Sequence, residues 1–284
     1  MIHRVRYSAT LVTLLFVAAS PTVAEETVAE EKAAPLRIVF LGDSITAAGG
    51  YIKIIGADLA KKKPDSPPVV INRGRSSETV SGLSEAYHPG RRPNVHTRLQ
   101  KELKNTKPDW VVACYGMNCG IYHPLSEERF AAYKRGMEDL IKKVHNSGSR
   151  LVLLTPPPYA KPIPKFPAGS NAKARAAIMV QANAKAEVEA KKNARRFGYR
   201  SAYVYYDQVL ARYSAWLLTL AARENVWVVD LRSAMLPAGK AAYAGDGIHP
   251  NRKGHQIMAA SFLEHWPKIA AEGEKTPKPK AAKK

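Results

Sequence analysis

The chain is 284 residues long and 45% hydrophobic, enough apolar material for one large buried core and too much for a wholly disordered polymer. Its 44 basic residues against 24 acidic ones give a net charge of +20, which points to anionic partners such as an acidic polysaccharide or a cell-surface polymer. Two cysteines are too few for a disulfide framework, and without zinc-finger spacing or an RNP-type motif the basicity does not point to nucleic acid.

In chain order, His3, Arg4 and Arg6 precede an apolar run from Ala9 to Ala19, and Thr22-Val23-Ala24 supplies small residues for cleavage. This pattern predicts a secretory signal peptide over 1–24, removed near Ala24, and an exported (periplasmic or secreted) protein. The run is too short for a permanent span and no other segment approaches that length, so stable membrane insertion is not expected. Residues 25–35 read as an acidic linker, and the main domain is expected over 36–270.

Within that domain, short apolar runs alternate with longer amphipathic ones. LRIVFLG (36–42), VVIN (69–72), DWVVACY (109–115), SRLVLLT (149–155) and NVWVVD (225–230) read as strands buried on both faces. Helices are predicted over 51–63, 126–148, 206–224 and 252–266, the second framed by Ser126 and Gly148. The alternation predicts a doubly wound α/β sandwich on a five-stranded parallel sheet, with every strand's carboxyl end on one edge.

Residues 156–200 break the rhythm. Six prolines from Pro156 to Pro167 lead into an Ala/Lys-rich stretch that predicts an exposed helix, as a lid or an insertion. FGYRSAYVYY (197–206) reads as a partly buried connector rather than a stacking platform. The stretch 271–284 is low-complexity and predicts a basic, disordered tail. Cys114 falls in an apolar strand, where a small buried thiol is ordinary, and both cysteines are expected to be free, with a Cys114–Cys119 bridge in an oxidising compartment as the alternative.

Three short stretches carry chemistry. Ser44 follows the first strand and precedes a helix, where backbone N–H groups favour developing negative charge. D-G-I-H-P-N (246–251) puts Asp246 three residues before His249, close enough for the carboxylate to hold one ring nitrogen while the other faces a hydroxyl. Y-G-M-N-C-G (115–120) ends the third strand, and Asn118 offers an amide donor for an oxyanion if strands one and three are neighbours. Asp43 is expected to hold the turn beneath Ser44. Tyr122, His123 and Arg75 are candidate substrate contacts, and Arg73, Arg91 and Arg92 form a basic region suited to an anionic substrate. His255 and His265, on the last helix, are expected to be structural.

G-D-S-I-T (42–46), N-R-G (72–74) ahead of Ser77-Glu78-Thr79, Asn118 after the third strand and D-G-I-H-P in this order resemble the SGNH (GDSL-type) hydrolase superfamily, from Leu36 to about Trp266. The resemblance implies a flavodoxin-like three-layer α/β/α sandwich and a serine esterase without metal or cofactor. It casts Ser44 as nucleophile, His249 as base and then acid, and Asp246 as its orienter. The oxyanion donors become the Ser44 N–H, the Asn118 side chain and a second-block N–H. That last position falls on Ser77 where the superfamily has glycine, with Gly74 as the fallback. Cys119 stands where the superfamily usually has aspartate after the oxyanion asparagine, and no local base equips it as a nucleophile.

An exported, basic member of such a superfamily is expected to remove ester groups, foremost O-acetyl groups, from a polysaccharide. The same residues are compatible with a polysaccharide O-acetyltransferase, a lipid or aryl ester hydrolase, or a non-catalytic polyanion-binding protein of the same fold.

Overall fold

The computed structural model describes residues 34–85, 88, 90–162, 165–192 and 203–281. The expected signal peptide, most of the 25–35 linker and residues 193–200 of the insertion lie outside the described residues.

The five apolar runs form β1 (Arg37–Gly42), β2 (Val69–Gly74), β3 (Trp110–Cys114), β4 (Arg150–Leu154) and β5 (Val226–Val229). All neighbours pair in parallel, in the order β2-β1-β3-β4-β5. Every residue of β3 and β4 is buried, which is why these segments show no alternation of apolar and polar residues, whereas β2, expected to be buried on both faces, is an edge strand with half-buried residues and an exposed Arg73.

The strand order reverses direction at β1, and right-handed crossovers then set the helices on two faces. On one face lie α2 (Gly50–Lys62) and α8 (Arg252–Lys275), packed against each other; Phe40 of β1 meets Tyr51 and Phe262 there. On the other lie α3 (Leu99–Thr106), α4 (Glu127–Asn146) and α6 (Tyr206–Thr219), with Tyr133 of α4 stacked on Tyr213 of α6 at 4.0 Å between ring centroids. The result is the three-layer α/β/α sandwich expected from the sequence.

Helix α3 was not expected from the periodicity, because its eight residues bury only Leu99, Leu103 and Thr106. The last helix exceeds its expected end by nine residues, running through Pro267 to Lys275. The 271–284 stretch is therefore not a disordered tail over its described part. After α8, the Thr276 carbonyl accepts a bond from Arg150 at 2.8 Å and Lys278 pairs with Asp109 at 2.6 Å. The helix of the insertion, α5 (Ala172–Lys192), is largely exposed over the residues whose burial is described. Of the connector 197–206, Tyr203, Tyr205 and Tyr206 are buried, which fits a packed connector and not an open stacking platform.

Two glycines set the floor of the site. A Cβ on Gly42 would lie 2.1 Å from Thr46 Oγ1 and 2.8 Å from the Cys114 carbonyl, and one on Gly74 would lie 2.3 Å from the Ala47 nitrogen. The one-turn helix α1 (Ser44–Ala47) can therefore lie flush on the carboxyl ends of β1 and β2.

Candidate active site

Asp43 and Ser44 occupy the turn where β1 becomes α1. Asp43 is buried and caps the helix, its carboxylate accepting the Ile45 N–H at 3.0 Å. Burial pushes the Asp43 carboxyl up to about 6, against the pull of the Ile45 bond and of the nearby His249 and Arg92. Ser44, half-buried, opens α1 with its hydroxyl toward the loop that precedes α8.

That loop is D-G-I-H-P-N. Asp246 Oδ1 accepts the backbone N–H groups of Ile248 and His249 at 2.9 and 3.0 Å, a tight Asx-type turn. Its other oxygen meets His249 Nδ1 at 2.5 Å, and His249 Nε2 lies 2.8 Å from Ser44 Oγ. Burial alone would raise the Asp246 carboxyl, but the bonds from His249 and Ile248 outweigh it and hold the group below its ordinary value. An ionised carboxylate only accepts, so Nδ1 carries the ring proton and Nε2 is left as acceptor for the Ser44 hydroxyl. Asn251 anchors the loop by capping α8 at Gly254 and donating to the carbonyls of Ala241 and Tyr243. The structure thus brings Ser44, His249 and Asp246 into one hydrogen-bonded series, an arrangement able to pass a hydroxyl proton to an imidazole.

Asn118 follows β3, the neighbour of β1, and is buried beside Ser44. Its Oδ1 accepts from Arg92 Nη1 at 3.0 Å and from the Tyr122 hydroxyl at 3.2 Å. Arginine has no acceptor, so the oxygen end of the amide must face it and the nitrogen end must face away. That nitrogen is buried with no hydrogen-bond partner among the described residues, a costly state in a folded protein unless something else supplies an acceptor.

Ser44, Ser77, Asn118, Tyr122, Asp246 and His249 line a cavity of about 470 Å³. Ser77 sits at φ +63, a left-handed conformation that glycine takes freely and serine less often, so the position keeps a glycine-like backbone under a serine side chain. Gly74 is ruled out as the second-block donor, since its N–H is already given to Asn72 Oδ1 at 2.8 Å.

Of the three candidate substrate contacts, Tyr122 lines the cavity and His123 and Arg75 do not. Arg92 is also corrected: it is no solvated cation for an anionic substrate but a fully buried side chain clamped to Glu85. Arg73 bonds Glu102, while Arg75 and Arg91 are exposed. Cys114 and Cys119 are free and buried, and burial pushes the Cys119 thiol up to about 12, which leaves it protonated and unfit as a nucleophile at neutral pH. His255 stacks on Tyr51, and the exposed His265 bonds the Ser261 carbonyl one turn back on its own helix.

Sequence reasoning missed Lys161, a cationic side chain on the cavity wall, and the Glu85–Arg92 pair behind Asn118. Lys161 had a usable signal, because every loop following a strand of a parallel sheet reaches the same edge. Glu85 and Arg92 had none, since the irregular 75–94 stretch carries no periodicity.

A five-stranded parallel sheet in the order 2-1-3-4-5, with its cavity at the switch point between β1 and β3, is the flavodoxin-like doubly wound frame, whose ligand crevice opens at that point. The chain belongs to the GDSL-like lipase/acylhydrolase family, whose pattern matches residues 40–257. Solved structures that share the fold include the following three. An acetylxylan esterase from Geobacillus stearothermophilus is 21% identical with a TM-score of 0.52, the match covering 81% of this chain and 94% of that one. A GDSL-like lipase from Bacteroides thetaiotaomicron is 18% identical at 0.52, covering 82% and 88%. A further acetyl xylan esterase is 20% identical at 0.54, covering 81% and 98%. No curated protein matches this sequence. Family and fold together make the chain an ester hydrolase.

Proposed function

We propose that this chain is an exported serine esterase that removes O-acetyl groups from a polysaccharide. The observation that carries the reading is the series Ser44–His249–Asp246 set beside the unpartnered amide nitrogen of Asn118 in one cavity. In this reading Ser44 Oγ attacks the acetyl carbonyl as its proton passes to His249 Nε2. Asp246 holds the ring and stabilises the imidazolium. The carbonyl oxygen, now negative, takes bonds from Asn118 Nδ2 and the N–H groups of Ser44 and Ser77. His249 then returns the proton to the departing sugar oxygen, and a water activated by the same ring releases acetate from the acyl-enzyme.

The number of polar side chains on the cavity wall supports a sugar-borne ester: serines, Asn118, Asp246, His249 and Lys161 line it, beside apolar surface that includes Tyr122 and Ile248. Two of the fold's relatives are acetylxylan esterases, which supports the same class. Export rests on the 1–24 pattern. Acetate release from a panel of acetylated polysaccharides, beside p-nitrophenyl esters of increasing chain length, tests the reading. Release from polymer with preference for the acetyl ester is expected; activity that rises with acyl length and spares the polymers would overturn it. For export, the protein recovered outside the cytoplasm should begin just after Ala24.

A further inference from the structure

Behind Asn118 lies an ion pair that chemistry at Ser44 does not itself require. Arg92 and Glu85 are both buried, joined by two parallel bonds, Nε to Oε2 at 2.5 Å and Nη2 to Oε1 at 2.6 Å. A buried pair of this kind gives back in attraction little more than it loses in desolvation, and apolar residues of the same volume often serve stability as well. Stability therefore does not account for it. The clamp consumes Nε and Nη2 and leaves Nη1, which reaches Asn118 Oδ1 at 3.0 Å and the Ser77 carbonyl at 3.4 Å. One guanidinium thus touches both residues assigned as oxyanion donors beyond Ser44.

We propose that Glu85 and Arg92 are positioning residues for the oxyanion site, Glu85 fixing the plane of the guanidinium and Arg92 orienting and polarising the Asn118 amide. The proposal rests on the serine-esterase reading and deepens it.

Two effects follow from the geometry. The first is orientation. The two ends of an asparagine amide have nearly the same shape, and only the nitrogen end can donate to an oxyanion. Arg92 has no acceptor and must give its hydrogen to the oxygen end, so the flipped amide would set its N–H against the guanidinium; the Tyr122 hydroxyl, able to donate or accept, follows that choice. The second is polarisation. A charged N–H drawing on the amide oxygen makes the amide N–H a stronger donor, and the effect is larger where water is excluded. The guanidinium also places positive charge behind the donor, on the side where the reacting oxygen becomes negative.

Removing Arg92 alone strands the Glu85 carboxylate, so the informative variant changes both: Arg92→Met with Glu85→Met, which replaces the pair by apolar side chains of similar length. The reaction to follow is p-nitrophenyl acetate hydrolysis. A fluorophosphonate serves alongside it: Ser44 Oγ bonds to phosphorus, fluoride leaves, the hydroxyl proton goes to His249, and the phosphoryl oxygen occupies the oxyanion site. Folding is checked by circular dichroism and thermal midpoint. The double variant should fold, lose about 10-fold or more in kcat and in labelling rate, and keep KM within about 2-fold. In an Asn118→Ala background the same double substitution should cost several-fold less, because the route through the amide is gone and only the Ser77 contact and the guanidinium charge remain.

Arg92→Lys, which keeps the charge but not the fork, should fall between wild type and the double variant. Equal losses in both backgrounds, a rise in KM with kcat kept, or no loss at all would overturn the proposal. If the double variant does not fold, the Arg92→Lys series in the two backgrounds decides by the same criterion. A fluorophosphonate that labels a residue other than Ser44 would instead remove the esterase reading itself, so the two failures are distinguishable.

Discussion

His249 Nε2 lies 2.8 Å from Ser44 Oγ although 205 residues separate them in the chain. Neither residue is placed by its neighbours alone. Ser44 is fixed by the close seat of α1 on Gly42 and Gly74, and His249 by the Asp246 turn and the Asn251 cap. Such a contact forms only when β1 and the start of α8 are both in their final places, so it reports on the whole sheet edge.

Ser44→Ala should therefore abolish hydrolysis, by on the order of 10³-fold or more in kcat, while the thermal midpoint stays close to wild type. The change removes one half-buried hydroxyl and leaves the Asp246–His249 bond in place. Steady-state kinetics and calorimetry on the same preparation check it. Full activity in the variant ends the assignment of Ser44 as nucleophile.

Asn118→Ala should lower kcat by roughly 10²–10³ and change KM little, since a bond that strengthens as the oxyanion forms is lost. The folded state should also lose stability, because the buried Arg92 Nη1 and Tyr122 hydroxyl forfeit the oxygen they donate to. An unchanged kcat with a lowered thermal midpoint would assign Asn118 to the turn and not to the reaction.

The sheet was legible in the sequence because parallel strands shielded on both faces read as uninterrupted Val/Ile/Leu runs, and the five runs became the five strands. Ser44, Asp246, His249 and Asn118 were legible for a related reason: each follows a strand or precedes a helix at the sheet's carboxyl edge. What lay beyond reach was long-range pairing without a local pattern. Nothing near Arg92 says that its partners are Glu85 and Asn118, 26 residues away. Net charge in a sequence cannot distinguish a solvated arginine from one clamped in the interior. Helix α3 was lost for want of length, and the order of residues 276–278 because Lys278 finds its carboxylate 169 residues back, at Asp109.

Asp43 gives the fold a pH dependence of defined sign. Its carboxyl is raised by burial from 3.8 to about 6, so the native state holds this proton more tightly than the unfolded chain. The stability it contributes is complete below pH 3.8 and is lost as pH rises through about 6, where the native state must carry a buried charge. Asp43→Asn keeps an oxygen for the Ile45 cap and never ionises. The variant should gain on the order of 2–3 kcal/mol over wild type at pH 8 and almost nothing at pH 4. Urea unfolding at the two values checks it, and an equal shift at both would place the effect in the cap instead.

The last expectation concerns the net charge of +20 and which part of it meets substrate. Arg92 is excluded by its burial, which leaves Lys161 on the cavity wall and the exposed Arg75 and Arg91 nearby in sequence to the Ser77 turn. If these steer an acidic polymer, kcat/KM on an acetylated uronate-rich polysaccharide should fall several-fold between about 0.05 and 0.5 M salt. Hydrolysis of p-nitrophenyl acetate should change less than about 2-fold, because a small neutral ester feels no long-range field. Lys161→Gln should flatten the salt curve on the polymer and leave the small ester alone, and Arg75→Gln with Arg91→Gln should flatten it further. Parallel salt curves for the two substrates would mean that the positive surface plays no part in recognition. The cavity would then select by its polar wall alone, and neutral acetylated polymers would be the substrates to pursue.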